Sequence, residues 1–206
     1  MKRLSQIFLP VVFAALFMAM NVFAQAENTE AKLNFKPESK IWVAGTSTLH
    51  DFTVNAKEID ATLKVDKSNL ANQQLIIENM KVVVPVKKLD TDKSSMNDNM
   101  QDALKADDNP DIVYQLNNPV SVKLPAVSDS VQLKADGTLT IAGVRKPVTL
   151  TAELVRTKDG LLHFKGDQKI LMTDYGVEPP TMFFGTIKTG NKVVIHYDVV
   201  INNPEL

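Results

Sequence analysis

No cysteine occurs among the 206 residues. That excludes a disulfide scaffold, a thiolate zinc site, a cysteine nucleophile and a lipid-bearing N-terminal cysteine. Neither charge sign dominates: 23 Lys and Arg face 24 Asp and Glu, for a formal net charge of −1. No basic footprint for nucleic acid is present. Aromatic residues are scarce, at 6%. After the first two dozen residues no run is long and apolar enough to span a membrane as a helix. Internal repeats and low-complexity tracts are also missing. Neither a Gly-x-x-x-x-Gly-Lys-Ser/Thr loop nor a Gly-x-Gly-x-x-Gly loop is present to cradle phosphate. What remains is 44% hydrophobic residues, enough for a folded domain with a substantial core.

The N-terminus has a targeting layout. Lys2 and Arg3 precede an apolar run from Ile7 to Met20, and Ala24-Gln25-Ala26 is a small-x-small cleavage site. This predicts a secretory signal peptide over residues 1–26 and an exported, periplasmic product. Residues 27–39 read as a polar leader and residues 40–206 as one domain.

From residue 40 the dominant period is two. Ile59, Ala61, Leu63 and Val65 alternate with polar partners, as do Val82, Val84 and Val86. The same holds for Val131 to Ile141, Val148 to Leu154, Leu162 to Ile170 and Val193 to Ile201. Each segment has one dry and one wetter face, the signature of antiparallel sheet. Lys158-Asp159-Gly160 and Thr189-Gly190-Asn191-Lys192 read as hairpin turns, and Gly137 as a bulge or bend. Ala142 to Pro147 separates two strands. One stretch departs from this period. Met96, Met100, Ala103 and Leu104 form a single helical stripe between Ser94 and Ala106, with Ser94 or Ser95 as cap and Asn109-Pro110 as stop. The expected architecture is all-β, an antiparallel barrel of about eight strands (or a sandwich) with one short inserted amphipathic helix.

Catalytic motifs are weak. Ser47, His50 and Asp51 are close in sequence, but adjacent His and Asp on an extended chain point to opposite faces and cannot form a triad. His50, His163 and His196 have no metal-ligand spacing. No cofactor is implied. The informative stretch is Met172 to Gly185, which sets two Met, a Tyr and two Phe around Pro179-Pro180. It is either a plug for the core or the rim of an apolar pocket.

Several elements together resemble the YceI-like family. They are Gly45-Thr46-Ser47-Thr48-Leu49-His50-Asp51-Phe52, Met96 to Pro110 followed by Ile112-Val113-Tyr114, and Met172-Thr173-Asp174-Tyr175-Gly176. The most specific is Leu139-Thr140-Ile141-Ala142-Gly143-Val144-Arg145-Lys146-Pro147-Val148. The resemblance covers nearly all of residues 33–202. It implies a lipocalin-like barrel that holds a long apolar lipid, a polyisoprenoid, without catalysis. Periodicity and resemblance together nominate Phe52, Tyr114, Phe164, Met172 and Tyr197 for the lumen. They place Tyr175, Met182, Phe183 and Phe184 at the mouth, and Met100 and Leu104 on the lid. A monomer or homodimer, with transient membrane contact, fits this reading. The alternatives are a filled barrel that docks a protein partner through its Met/Phe loop, and a lipid-acting enzyme using His50, His196, Asp174 and Tyr175. An outer-membrane barrel is excluded by the Lys, Asp, Glu and Gln at alternate positions.

Overall fold

The computed structural model describes residues 31–182 and 186–202, with the side chain of Met182 outside the description. The expected signal peptide and the residues Phe183 and Phe184 lie outside the described residues.

The strands are β1 (Ala31–Lys32), β2 (Lys40–Ser47), β3 (Phe52–Ala56), β4 (Asp60–Asp66), β5 (Gln74–Pro85), β6 (Leu89–Asp90) and β7 (Asp111–Leu116). They continue with β8 (Val120–Lys123), β9 (Ser130–Ile141), β10 (Val144–Arg156), β11 (Leu162–Leu171), β12 (Thr181–Met182) and β13 (Ile187–Ile201). Helix α1 (Ser94–Ala103) interrupts them between β6 and β7. The hydrogen-bonded order is β1-β4-β5-β7-β9-β10-β11-β13-β2-β3-β6, with β12 on β13 and β8 on β5. All these pairings are antiparallel. The fold is the expected all-β barrel type, a curled antiparallel sheet, but two expectations change. Among the described residues thirteen strands replace about eight, because short pieces pair along the edges of longer ones. The ladder is also not closed, since β1 and β6 are its ends. Met100 of helix α1 and Leu104 just after it pack with Phe52 and Val54 of β3 and Val84 of β5.

The described part of the leader is more tightly held than its polarity suggests. Ala31–Lys32 pairs with β4, Phe35 bridges to Ile201, and Leu33 and Phe35 pack against the core. Two apolar side chains among polar neighbours are enough to fix it.

Three turn assignments also change. Ala142 and Gly143 alone make the β9–β10 turn, both at positive φ (48° and 79°) between the paired Ile141 and Val144. That is the two-residue hairpin geometry that matches strand twist, and Pro147 therefore lies inside β10. Thr189 to Lys192 is no hairpin but an irregularity within β13, where the register with β2 shifts between Thr189 and Val193. Helix α1 starts after Lys93 with no side-chain cap, so neither Ser94 nor Ser95 caps it. The Lys158-Asp159-Gly160 turn does join β10 to β11, with Gly160 at φ 80°.

One bulge is not legible in the sequence. Lys64 faces Asn79 and Val65 faces Ile77, so Glu78 has no opposite residue. The extra residue inverts the strand's parity. Met80, Val82 and Val84 face inward on one side of it, and Leu75 and Ile77 on the other.

Candidate functional site: an apolar barrel interior

The two ends of the curled sheet differ. At one end Leu75, Val122, Leu124, Leu154, Leu162 and Ile201 form a buried cluster, and Leu154 is 0% exposed. Leu33 and Phe35 seal it from the N-terminal side. This end is solid. At the other end, α1 and the turn Met172–Tyr175 lie over the barrel. Ala103, Leu104 and Met172 pack around Tyr114, Leu139, Ile141, Tyr175 and Val177. Between them the interior opens past the β2–β3 loop, the start of α1 and the start of β13. Ser47, Leu49, His50, Lys93, Ser95, Asn99 and Ile187 line that opening. Leu49 is 66% exposed there.

The interior cavity measures about 550 Å³. Its wall is almost wholly aliphatic and aromatic. The parity read from sequence places the wall residues correctly on four long strands. Leu133, Ala135, Leu139 and Ile141 of β9 face inward, as do Leu150 and Ala152 of β10, Phe164 and Ile170 of β11, and Val193 to Ile201 at alternate positions of β13. Of the candidate residues, Phe52, Met100, Leu104, Tyr114, Phe164, Met172, Tyr175 and Tyr197 all line this one cavity. The Met172 turn both plugs and lines: Tyr175 and Val177 are buried, and Pro180 borders the cavity. Met182 belongs to a two-residue strand on β13.

Three glycines, of which the sequence reading treats Gly137 alone as a bulge or bend, make room for rings along this interior. A Cβ on Gly137 would meet the Tyr114 ring at 2.3 Å, and one on Gly45 would meet the Phe52 ring at 2.3 Å. One on Gly166 would meet the Tyr197 hydroxyl at 2.6 Å. Each of these three rings packs closely on a glycine of the neighbouring strand. Pairing of β9 with β10 runs without a shift through Gly137 and Val148, so Gly137 is a seat for a ring and not a bulge. The two tyrosines are further fixed by their hydroxyls, which donate to Ala135 O (3.0 Å) and Thr151 O (2.6 Å). Pairing of β10 with β11 stops at Ala152 and Gly166, and the Tyr197 hydroxyl satisfies the Thr151 carbonyl at that fork. Burial pushes the Tyr114 hydroxyl up to about 12 and raises that of Tyr197, so both stay protonated donors.

Gly137→Ala is therefore expected to unseat Tyr114 and to destabilise the fold by about 1–3 kcal/mol, the usual cost of overpacking. In a Tyr114→Ala background the same change should cost much less. Thermal unfolding of the four variants of this cycle measures the coupling.

Helix α1 is tethered by side chains on β6. Asp90 accepts hydrogen bonds from Asn97 Nδ2 (2.9 Å) and from Asp92 N (3.0 Å), and pairs with Lys57 (3.2 Å). Asn97 in turn accepts from Thr91 N and Oγ1. The Asn97 hydrogen bond first, then the Asp92 amide and Lys57, hold the Asp90 carboxyl at about 2, down from 3.8. A depressed carboxylate stabilises fully above its ordinary range and loses that contribution as pH falls through the folded value. Acid loosening of α1 is thus expected between about pH 4 and pH 2. Asp90→Asn should speed amide hydrogen exchange over residues 94–103 at neutral pH and remove that acid step.

The polar candidates do not form a reactive constellation. Ser47 Oγ donates to His50 O and accepts from the Leu49 and His50 amides. His50 Nδ1 bonds to the Asp51 carbonyl. Both other histidines sit on the outer face beside carboxylates: His163 with Asp198 and His196 with Asp167, each at 2.5 Å. The His196 ring also stacks on Trp42 at 4.9 Å. Among the described residues no group of three or more His, Asp or Glu could hold a metal ion. No described helix is long and apolar enough to cross a membrane.

Comparison with known proteins agrees with this geometry. Among curated proteins no sequence match is found. The fold is similar to a polyisoprenoid binding domain from Saccharophagus degradans, at TM-score 0.63 and 14% identity, covering 85% of this chain and 100% of that one. It is similar to Burkholderia cenocepacia BcnA, at TM-score 0.62 and 18% identity over 80% and 96% of the two chains. It is also similar to a Campylobacter jejuni YceI protein, at TM-score 0.54 and 22% identity over 73% and 84%. The YceI-like domain model matches residues 21–201, and the chain belongs to the YceI-like domain family.

Proposed function

We propose that this chain is an exported, non-catalytic binding protein that holds a long apolar lipid, a polyisoprenoid, inside the barrel for storage or transport in the periplasm. The observation that carries the reading is the apolar interior cavity of about 550 Å³. A filled barrel that works only as a docking surface has no need of such a space. The structural likeness to a polyisoprenoid binding domain supports the same ligand class, as does the signal-peptide layout of residues 1–26 for export.

Capacity follows from volume. At about 30 Å³ per water-sized group, the cavity encloses roughly 18 such groups, a chain of about 15–20 carbons. A longer polyisoprenoid would extend through the mouth. Each enclosed CH₂ contributes ~0.8 kcal/mol of transfer free energy, so affinity needs few polar contacts.

The test uses protein cleaved after Ala26 and a ladder of polyprenols from 10 to 50 carbons, on the order of the capacity estimate and beyond it. Affinity should rise steeply with length up to about 20 carbons and then level off. If no member of the ladder is retained, the carrier reading fails. Cell fractionation tests the location. Recovery of the uncleaved chain in the cytoplasm would contradict export.

A further inference from the structure

The cavity's charge lining is one-sided. Among the described residues that border it there is no Asp, Glu or Arg; Lys93 is the one formally charged side chain, and His50 is the one imidazole. Both sit at the mouth. None of the nearby carboxylates borders the cavity, Asp51 beside His50 included. Asp90 and Asp92 lie against Lys57, at 3.2 and 3.9 Å, and Asp98 and Asp102 of α1 do not border the cavity. The Lys93 ammonium has no ion pair or hydrogen bond among the described residues, and the same is true of the side chains of Ser95 and Asn99 beside it. Ser95 is free because it does not cap α1.

The topology puts these groups at one place. Strand β6 runs antiparallel to β3, with Leu89 opposite Ala56 and Asp90 opposite Asn55. The chain beyond Asp90 thus heads toward the Phe52 end of β3, where the β2–β3 loop carries His50. Thr48 of that loop is bonded to Lys188 at the start of β13. A lipid whose tail fills the lumen must leave its headgroup among an ammonium, a hydroxyl and a carboxamide with no competing carboxylate.

We infer that the ligand carries an anionic headgroup, a phosphate monoester or a carboxylate, bound at the mouth by Lys93 with Ser95 and Asn99. This rests on the carrier reading of the same cavity. A cationic head would find no counter-charge there. A neutral alcohol would leave the ammonium unused. Phosphate and carboxylate share the acceptor oxygens that a lysine and neutral donors recognise.

The experiment compares four ligands on the cleaved protein: geranylgeranyl phosphate, geranylgeraniol, a 20-carbon fatty acid and its alcohol. The expected result is that each acid binds roughly tenfold more tightly than its alcohol, the scale of a charge-assisted hydrogen bond. The size of that preference in each pair tells phosphate from carboxylate. Lys93→Glu should abolish the preference of acid over alcohol. A Glu at the start of a helix is favourable, so the variant keeps its fold. The preference should also shrink with added salt, because the site is at the surface. If alcohols and acids bind equally, and Lys93→Glu changes nothing, the headgroup assignment is wrong while the carrier reading stands. If none of the four binds, the carrier reading itself has failed.

Discussion

Ala152→Trp is expected to abolish lipid binding without unfolding the protein. Ala152 lines the lumen on β10, opposite Leu133 of β9 and Gly166 of β11. An indole placed there enters the cavity and occupies the volume that a lipid tail requires. The dissociation constant should rise by at least roughly 100-fold, about 2.7 kcal/mol. The control is the next residue. Glu153 is exposed and points to the outer face, because successive side chains on a strand alternate. Glu153→Trp should leave binding unchanged. A titration of both variants with geranylgeraniol, alongside their thermal unfolding curves, checks the pair. Equal binding by Ala152→Trp and the unaltered protein would mean that the lipid does not enter the barrel.

The second large effect is on stability, and it separates the solid end from the hollow one. Leu154 and Leu150 are four residues apart on the same face of β10. Leu154 is 0% exposed, inside the sealed cluster. Leu150 faces the cavity. Leu154→Ala should destabilise the protein by about 2–5 kcal/mol, since removed methylene groups leave a void with neighbours on every side. For a chain of this size that lowers the melting temperature by roughly 5–15 °C. Leu150→Ala removes the same atoms, but its side chain already has space on one side. It should cost less than about half as much, because less packing is lost. Added ligand should widen the gap between Leu150→Ala and the parent, since a bound tail supplies the missing contacts. Equal losses at the two leucines would mean a packed interior.

The legible part of the structure was the part governed by alternation. A half-buried strand writes its facing in the sequence at period two. Periodicity together with the family resemblance assigns Tyr197, Phe164 and Tyr114 to the interior, and all three border the cavity. The helix stripe of Met96, Met100, Ala103 and Leu104 was equally plain, and all four border the cavity. What could not be read depends on neighbours distant in sequence. The bulge at Glu78 is set by pairing with Lys64 and Val65 on another strand. Gly137 looks like a bend until Tyr114, from a different strand, is seen resting on it. Leu33 and Phe35 look like a leader because the cluster that holds them comes from β13 and other distant elements. Lys93 reads as one lysine among many. Its place at the mouth follows from how β6 pairs with β3. The signal of a local pattern survives in a sequence, and the signal of a cross-strand contact does not.

The same logic explains why the glycine seats matter for function. A barrel with large aromatic residues on its inner face would ordinarily fill itself. Here the rings of Phe52, Tyr114 and Tyr197 are laid on Gly45, Gly137 and Gly166, and two of them are pinned by hydroxyl bonds to the backbone. The aromatic surface becomes wall, and the lumen remains available for a guest.

The most direct test of the central claim is native mass spectrometry of the protein purified from its own cells without detergent, followed by solvent extraction. The account predicts a one-to-one complex that releases a lipid with an isoprenoid mass pattern, and loss of that complex in Ala152→Trp. A bare protein mass that persists after incubation with polyprenols and polyprenyl phosphates would contradict it.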